Sequence, residues 1–235
     1  MPSLDAPDNA ISLAKIIDAA ERIKKNSFRT PLLESPILNK ILNARLFIKA
    51  EMLQRTGSFK FRGAHTKISR LSATARKRGV VAYSSGNHAQ GVAYSANLYE
   101  CDATIVMPKD APKVKIVNTK KLGAEVILYD RVSENREDIG RHISQNLGAT
   151  LIPPYDDMDV ISGQGTIGLE IDEQLSELGI KADKIIVPCG GGGLVAGIAS
   201  GISELSPNTE IWAVEPTNYD DTLRSLNKGA RLSNS

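Results

Sequence analysis

The sequence predicts an α/β protein with an open parallel sheet divided between two lobes. Short runs rich in valine, isoleucine and leucine alternate with helix-like segments along almost the whole chain. These runs show little alternation of apolar and polar residues, which is typical of parallel strands that helices cover on both faces. The stretch at residues 148–155, which contains two successive prolines, is the best candidate for a crossover between the lobes.

The first predicted helix follows a polar start, where Leu13, Ile16, Ala20 and Ile23 recur at helical spacing. Strand-like runs then occupy residues 46–48, 80–83, 103–107, 125–129, 184–187 and 211–214. Amphipathic segments between them predict helices near residues 59–71, 88–98, 111–121, 134–147, 162–178 and 194–205. Ligands of parallel sheets bind beyond the carboxyl ends of the strands, so the loops after residues 83 and 187 mark the candidate site.

Composition and charge exclude several classes of protein. The 235 residues are 41% hydrophobic and 24% charged, which is typical of an ordinary globular protein. Their net charge of +2 does not indicate a basic surface that binds nucleic acid. The apolar runs are too short for a membrane span and the start does not resemble a leader, so we expect a cytoplasmic protein with no membrane partner. In that compartment Cys101 and Cys189 should be reduced thiols. The three histidines show no zinc-ligand spacing.

Three unusual loops indicate the chemistry. Lys60 lies in GSFKFRGA (residues 57–64), the polar turn SSGNHAQG occupies residues 84–91, and PCGGGGL occupies residues 188–194. A lysine amine forms Schiff bases, a side-chain amide binds a ring hydroxyl, and backbone N–H groups clustered before a helix bind a phosphate. Pyridoxal 5′-phosphate is the cofactor that needs all three.

The glycine loop by itself permits two other interpretations. Residues 191–196 satisfy the pattern G-x-G-x-x-A, and Glu215 lies about 20 residues further on, where a nicotinamide-dependent enzyme has its ribose-binding acid. A tight turn without a ligand is the structural alternative, although four successive glycines are entropically unfavourable for a plain turn. A dinucleotide fold requires neither Lys60 nor the Ser-Ser-Gly-Asn turn, so both features favour pyridoxal phosphate.

The three loops and two further motifs resemble those of fold-type II pyridoxal-phosphate enzymes, in the group of threonine dehydratases and serine racemases. The resemblance covers essentially the whole chain and includes QRTGSFK (residues 54–60), PPYDD (153–157) and GQGTIGLE (163–170). It implies a two-lobed fold like that of the tryptophan synthase β chain.

The resemblance also implies a division of the chain. Residues 1–52 are expected to form the N-terminal part of a large domain, residues 53–150 a small domain, and residues 151–235 the part of the large domain that binds the cofactor phosphate. Family members continue past a Gly-Ala-Arg-like segment, which matches residues 229–231 here. The fold is therefore expected to be incomplete at its C-terminus, with an exposed sheet edge and an uncovered apolar face.

The resemblance assigns a role to each candidate site residue. Lys60 forms the Schiff base and removes the substrate's Cα proton, Phe59 packs beside the cofactor ring, and Asn87 binds the ring hydroxyl. The substrate carboxylate is expected at Ser84, Ser85 and His88, with Ser85 as the second acid–base group that racemisation needs. Arg136 either matches an arginine near the active site of serine racemases or forms a salt bridge on a helix surface. The phosphate is expected on the backbone N–H groups of Gly190, Gly191, Gly192, Gly193 and Leu194.

A metal site is a further expectation from the resemblance. The segment EPTNYDD (residues 215–221) resembles the cation loop of the family's racemases, with the side chains of Glu215 and Asp221 and the carbonyl of Tyr219 as ligands. Oxygen ligands suit Mg²⁺ or Ca²⁺. The alternative is an acid-rich helix start that needs no ion.

The functional prediction is a pyridoxal-phosphate-dependent ammonia-lyase that eliminates ammonia from L-threonine or L-serine. Serine racemase and threo-3-hydroxyaspartate ammonia-lyase are the alternatives within the family. From another class, the chain is a non-catalytic truncated fragment that still binds cofactor. The expected partners are a small amino-acid substrate and, in the full-length form, a second copy in a homodimer.

Overall fold

The computed structural model describes residues 10–233. Helices α1 to α10 span Leu13–Ile23, Pro36–Leu42, Lys60–Ser69, Ala73–Lys77, Asn87–Leu98, Lys113–Lys121, Arg136–Leu147, Met158–Glu177, Gly193–Leu205 and Asp221–Lys228. Strands β1 to β8 span Leu32–Glu34, Phe47–Lys49, Val80–Tyr83, Ala103–Pro108, Glu125–Tyr129, Thr150–Leu151, Lys184–Pro188 and Glu210–Val214. Two short 3-10 turns, Glu51–Leu53 and Arg55–Gly57, precede α3.

Two parallel sheets form the framework, as predicted. The larger has four strands in the order β5-β4-β3-β6, and the smaller pairs β7 with β8. Every residue of β3 and β4 is buried, which explains why these strands read as continuous apolar runs. The main core cluster joins these two strands to α3 and α5 and includes Ala82, Ile105 and Met107.

The run at residues 46–48 does form a strand, β2, but it lies outside both parallel sheets. It pairs antiparallel with β1, which the sequence did not predict. β6 has only two residues, and the three-residue β1 contains no β-branched or aromatic residue, so neither shows a strand-like run. The expected domain boundaries after residues 52 and 150 stay a prediction.

Glycines allow α8 to approach both α3 and α9 closely. A Cβ atom on Gly163 would lie 2.6 Å from the Cα of Gly63 on α3. A Cβ atom on Gly197 of α9 would lie 2.7 Å from the backbone nitrogen of Gly165. Both distances are too short for any residue with a side chain, so the glycines of the GQGT motif are packing residues. Through them, α8 fixes the helix that begins at Lys60 relative to the helix that follows the glycine loop.

A buried ion network lies behind Lys60, two residues along α3. The Arg62 side chain is fully buried and donates to both carboxylate oxygens of Glu51 and to both of Glu170. Lys49 donates to Glu170 as well, at 2.6 Å. Burial by itself would raise the pKa of Glu170, but the hydrogen bonds from Arg62 and Lys49 hold that pKa below its ordinary value. The network ties α3 to α8 and to the segment that follows β2.

The smaller parallel sheet leaves apolar side chains open to solvent. Ile186 on β7 is 63% exposed, and Trp212 and Val214 on β8 are about half exposed. Within residues 10–233, no helix has the length and apolarity that a membrane span needs. The thiols of Cys101 and Cys189 are buried and free, as the sequence predicted.

Candidate active site

A cavity of about 570 Å³ opens where β7 and β8 end. Its lining brings Lys60 together with the glycine loop (residues 190–193), although the two lie far apart in the sequence. The complete lining is Phe59, Lys60, Tyr155, Pro188, Cys189, Gly190, Gly191, Gly192, Gly193, Leu194, Val214, Glu215 and Pro216. A cavity at the carboxyl ends of parallel strands is the usual ligand position in such folds.

Lys60 is the first residue of α3. Its Nζ donates a 2.7 Å hydrogen bond to the carbonyl oxygen of Pro154 and lies 5.2 Å from the centre of the Phe59 ring. Burial lowers the pKa of Lys60 from its ordinary 10.5 to about 8. Near neutral pH, a much larger fraction of this amine is therefore unprotonated than in an ordinary lysine, as a nucleophile or general base requires.

The glycine loop leads into α9 through Gly192, which has a left-handed backbone conformation with φ +80°. A Cβ atom on Gly190 or Gly192 would meet no other atom within 4 Å, so these two positions face open space. A Cβ atom on Gly191 would instead overlap the ring of Tyr155. The loop thus lies at the positive end of a helix, open at Gly190 and Gly192 and covered by Tyr155 at Gly191. This arrangement fits the phosphate of pyridoxal phosphate.

The turn at residues 84–87 lies at the carboxyl end of β3, where α5 begins. The backbone N–H of Ser84 donates to the carbonyl of Val106, and its hydroxyl accepts from the N–H of Gly86 at 3.1 Å. Ser85 and Asn87 are exposed. None of these residues lines the cavity at the glycine loop, so their roles toward substrate and cofactor ring stay predictions.

His88 is placed differently from the two exposed residues that precede it. Its ring is buried, and Nε2 lies 2.9 Å from the carbonyl oxygen of Ile152. Burial lowers the pKa of His88 to about 4, so the ring is neutral at physiological pH. The cavity lining does not include it.

Arg136 is the first residue of α7, and its guanidinium lies 5.6 Å from the centre of the Tyr83 ring. Tyr83 ends β3 and directly precedes the serine turn, so this cation lies close to the predicted substrate site. It does not line the cavity at the glycine loop.

The three expected metal ligands lie between β8 and the start of α10. Both carboxylate oxygens of Glu215 accept hydrogen bonds from the first turn of that helix, from the N–H groups of Thr222 and Leu223 at 3.0 Å. Asp221 begins the helix and Tyr219 is exposed. In the described part of the chain, no three His, Cys, Asp or Glu side chains converge as a metal cluster. The acid-rich segment therefore starts a helix, and a role in metal binding stays a prediction.

Two residues near the site had no assigned role in the sequence. Tyr155, in the PPYDD motif, packs against the glycine loop and lines the cavity. Lys115 of α6 lies over the serine turn, where a Cβ atom on Gly86 would come within 2.6 Å of its Nζ. The PPYDD motif pointed to Tyr155, but nothing distinguishes Lys115 from the other lysines of its helix.

Comparison with known proteins agrees with this geometry. Residues 23–235 match the family model described as "Pyridoxal-phosphate dependent enzyme". The chain is 47% identical to L-threo-3-hydroxyaspartate ammonia-lyase of Saccharomyces cerevisiae, over 92% of this chain and 65% of that protein. It is 42% identical to L-threonine ammonia-lyase of Thermotoga maritima, over 93% of this chain and 54% of that protein. The chain thus spans about two thirds or less of the length of these curated relatives.

Solved structures show the same fold. The T.th. threonine deaminase superimposes with a TM-score of 0.88 at 45% identity, covering 94% of this chain and 70% of that one. Maize serine racemase superimposes with a TM-score of 0.90 at 38% identity, covering 95% of this chain and 67% of that one. This chain belongs to the family of pyridoxal-phosphate-dependent enzymes, with the α/β architecture of fold type II.

Proposed function

We propose that the chain carries the cofactor-binding core of an ammonia-lyase that converts L-threonine or L-serine into a 2-oxo acid and ammonia by α,β-elimination. The observation that carries the proposal is the half-buried Lys60 amine, which shares one cavity with the glycine loop and whose pKa desolvation lowers to about 8. The names of similar proteins support it, because they include L-threonine ammonia-lyase and L-threonine dehydratase.

Different groups of the chain serve cofactor binding and proton transfer. The N–H groups of the glycine loop and the start of α9 would hold the phosphate. The Lys60 amine would hold the aldehyde end of the cofactor and, as a free base, would accept the proton from Cα of the substrate. Bound pyridoxal phosphate supplies the electron sink that makes this Cα–H bond acidic. Asn87 and the exposed Ser85 orient the cofactor ring and the substrate carboxylate at the start of α5.

A second candidate function is supported by other relatives. The chain is 48% identical to L-threo-3-hydroxyaspartate ammonia-lyase of Pseudomonas sp and 44% identical to serine racemase of Schizosaccharomyces pombe. Racemisation requires a second acid–base group, for which Ser85 is the candidate, whereas elimination requires only Lys60 and a leaving group. Ser85→Ala should therefore abolish racemisation of L-serine more completely than its dehydration. Equal loss of both activities would contradict this assignment of Ser85.

Three further parts of the proposal depend on the predicted family role. The partners are a small amino-acid substrate and a second copy of the full-length protein. A Mg²⁺ or Ca²⁺ ion would be held by Glu215, Tyr219 and Asp221, with Glu215 also accepting from the start of α10. The location is cytoplasmic, which the free, buried thiols of Cys101 and Cys189 support.

The first test is an absorbance spectrum of the purified chain with added pyridoxal phosphate, followed by borohydride reduction and peptide mapping. We expect a visible imine band and a label on Lys60 in the wild type, and neither in Lys60→Arg. The matched control is Lys181→Arg, because Lys181 is an exposed surface lysine. A label spread over several lysines, or no label, would contradict the assignment of Lys60.

The second test is turnover. L-threonine, L-serine and L-threo-3-hydroxyaspartate are each supplied, and the 2-oxo acid and ammonia are measured. Formation of both products from any of these hydroxy amino acids supports the lyase, and the relative rates rank the three substrates. A label on Lys60 without any product would favour the non-catalytic cofactor-binding fragment.

A further inference from the structure

The crossover segment, residues 152–157, connects β6 to α8 and lies beside the glycine loop. Its first residue is still part of the sheet, since the N–H of Ile152 donates to the carbonyl of Val81 at 2.8 Å. Pro153 and Pro154 follow and have no N–H groups. Over these residues, the backbone is therefore anchored mainly through its carbonyl oxygens.

Two side chains from the active-site helices provide such anchors. His88, in the first turn of α5, holds the carbonyl of Ile152 through Nε2 at 2.9 Å. Lys60, at the start of α3, holds the carbonyl of Pro154 through Nζ at 2.7 Å. A carbonyl oxygen only accepts hydrogen bonds, so the neutral His88 ring carries its proton on Nε2. Its Nδ1 is buried and has no hydrogen-bond partner among the described residues.

The next residue along the crossover shapes the cavity. The ring of Tyr155 packs so closely against Gly191 that a Cβ atom there would overlap it, and Gly193 also lies beside Tyr155. Tyr155 directly follows the Pro154 carbonyl that Lys60 holds. A shift of the crossover would therefore move this ring away from the glycine loop.

We propose that His88 is a positioning residue that holds the crossover segment so that Tyr155 stays packed against the glycine loop. The two anchors are not equivalent. With pyridoxal phosphate bound, Lys60 would hold the cofactor and would no longer be a free ammonium that donates to Pro154. His88 takes no part in that reaction and keeps its hydrogen bond to Ile152. This last step depends on the proposed function, whereas the anchoring itself can be measured without cofactor.

Two substitutions of similar size separate the roles of the two ring nitrogens. In His88→Gln, the amide nitrogen can occupy the position of Nε2 and still donate to Ile152. In His88→Asn, the shorter amide reaches only the position of Nδ1, and the carbonyl loses its donor. His88→Leu removes both nitrogens, and His142→Gln, at an exposed histidine of α7, is the control.

The measurement is hydrogen exchange in the cofactor-free protein at the backbone amides of Ile152, Asp159 and Val160. These amides donate to the Val81 carbonyl and to the Asp157 side chain at the two ends of the crossover. Loss of the anchor should accelerate exchange about tenfold in the Asn and Leu variants, with the Gln variant and the control close to wild type. The affinity for pyridoxal phosphate, followed by absorbance, should be lower in the Asn and Leu variants than in the Gln variant and the control. The Asn–Gln comparison suffices where the Leu variant does not fold.

Two results would overturn the proposal. One is wild-type exchange at Ile152, Asp159 and Val160 in the Asn variant. The other is acceleration spread evenly over the whole chain, which would show a role in global stability alone. If the wild type itself fails to bind pyridoxal phosphate, the proposed function fails, and the exchange data still decide whether His88 anchors the crossover.

Discussion

Replacing Lys60 with methionine should stabilise the cofactor-free protein near neutral pH while removing the imine-forming group. The folded protein buries this amine and lowers its pKa to about 8, whereas an unfolded lysine keeps a value near 10.5. Below about pH 8 the amine is protonated in both states, so the folded state carries the full desolvation penalty. Above about pH 10.5 it is neutral in both states and the penalty disappears.

The lowered pKa corresponds to a penalty of about 3 kcal/mol at pH 7. Methionine also loses the hydrogen bond to Pro154, which is worth about 1 kcal/mol. The variant should therefore be more stable than the wild type by about 2 kcal/mol at pH 7. Between pH 8 and pH 10.5 the unfolded wild type binds more protons than the folded one, so its stability rises with pH. The difference in the free energy of unfolding between the variant and the wild type should therefore be about 2 kcal/mol smaller at pH 9.5 than at pH 7.

Urea unfolding of both cofactor-free proteins at several pH values measures this difference. Lys181→Met, at an exposed lysine, is the control for the substitution itself. A Lys60→Met variant no more stable than wild type at pH 7, or a difference that stays constant with pH, would refute the reasoning. Either result would mean that the folded protein does not perturb this amine.

Three other predictions concern the surroundings of the cavity. Gly191→Ala should lower the free energy of unfolding in urea by about 1–3 kcal/mol, because its Cβ atom overlaps Tyr155. Gly190→Ala places its Cβ atom in open space and should leave stability unchanged. Equal effects of the two substitutions would contradict the packing of Tyr155 against Gly191. Arg62→Leu removes the buried guanidinium that pairs with Glu51 and Glu170, although Lys49 still donates to Glu170, and should cost about 3–5 kcal/mol. A cost below about 1 kcal/mol would argue against the network. Glu215→Ala removes the acceptor for two N–H groups of α10 and should lower the free energy of unfolding by about 1 kcal/mol. If added Mg²⁺ stabilises the wild type but not this variant, that difference would indicate the metal site.

Much of the framework could be predicted because it depends on local pattern. The parallel strands are recognisable because both their faces are buried, so β3 and β4 contain only apolar or small residues. The glycine loop is recognisable because its backbone conformation and its lack of side chains are properties of the residues themselves. Strand β6 was missed because two residues carry no periodicity, and β1 was missed because it contains no β-branched or aromatic residue.

The sequence by itself singled out Lys60 and the glycine loop as candidates and predicted the type of cofactor, since each of these depends on short runs of residues. Only the tertiary structure showed that Lys60 holds the Pro154 carbonyl 94 residues away, and that His88 holds Ile152 64 residues away. It also revealed that the GQGT glycines serve helix packing and that Glu215 accepts from the start of α10. These contacts join segments that are distant in the chain, and no local pattern records which of many possible partners the packed core will bring within hydrogen-bond distance.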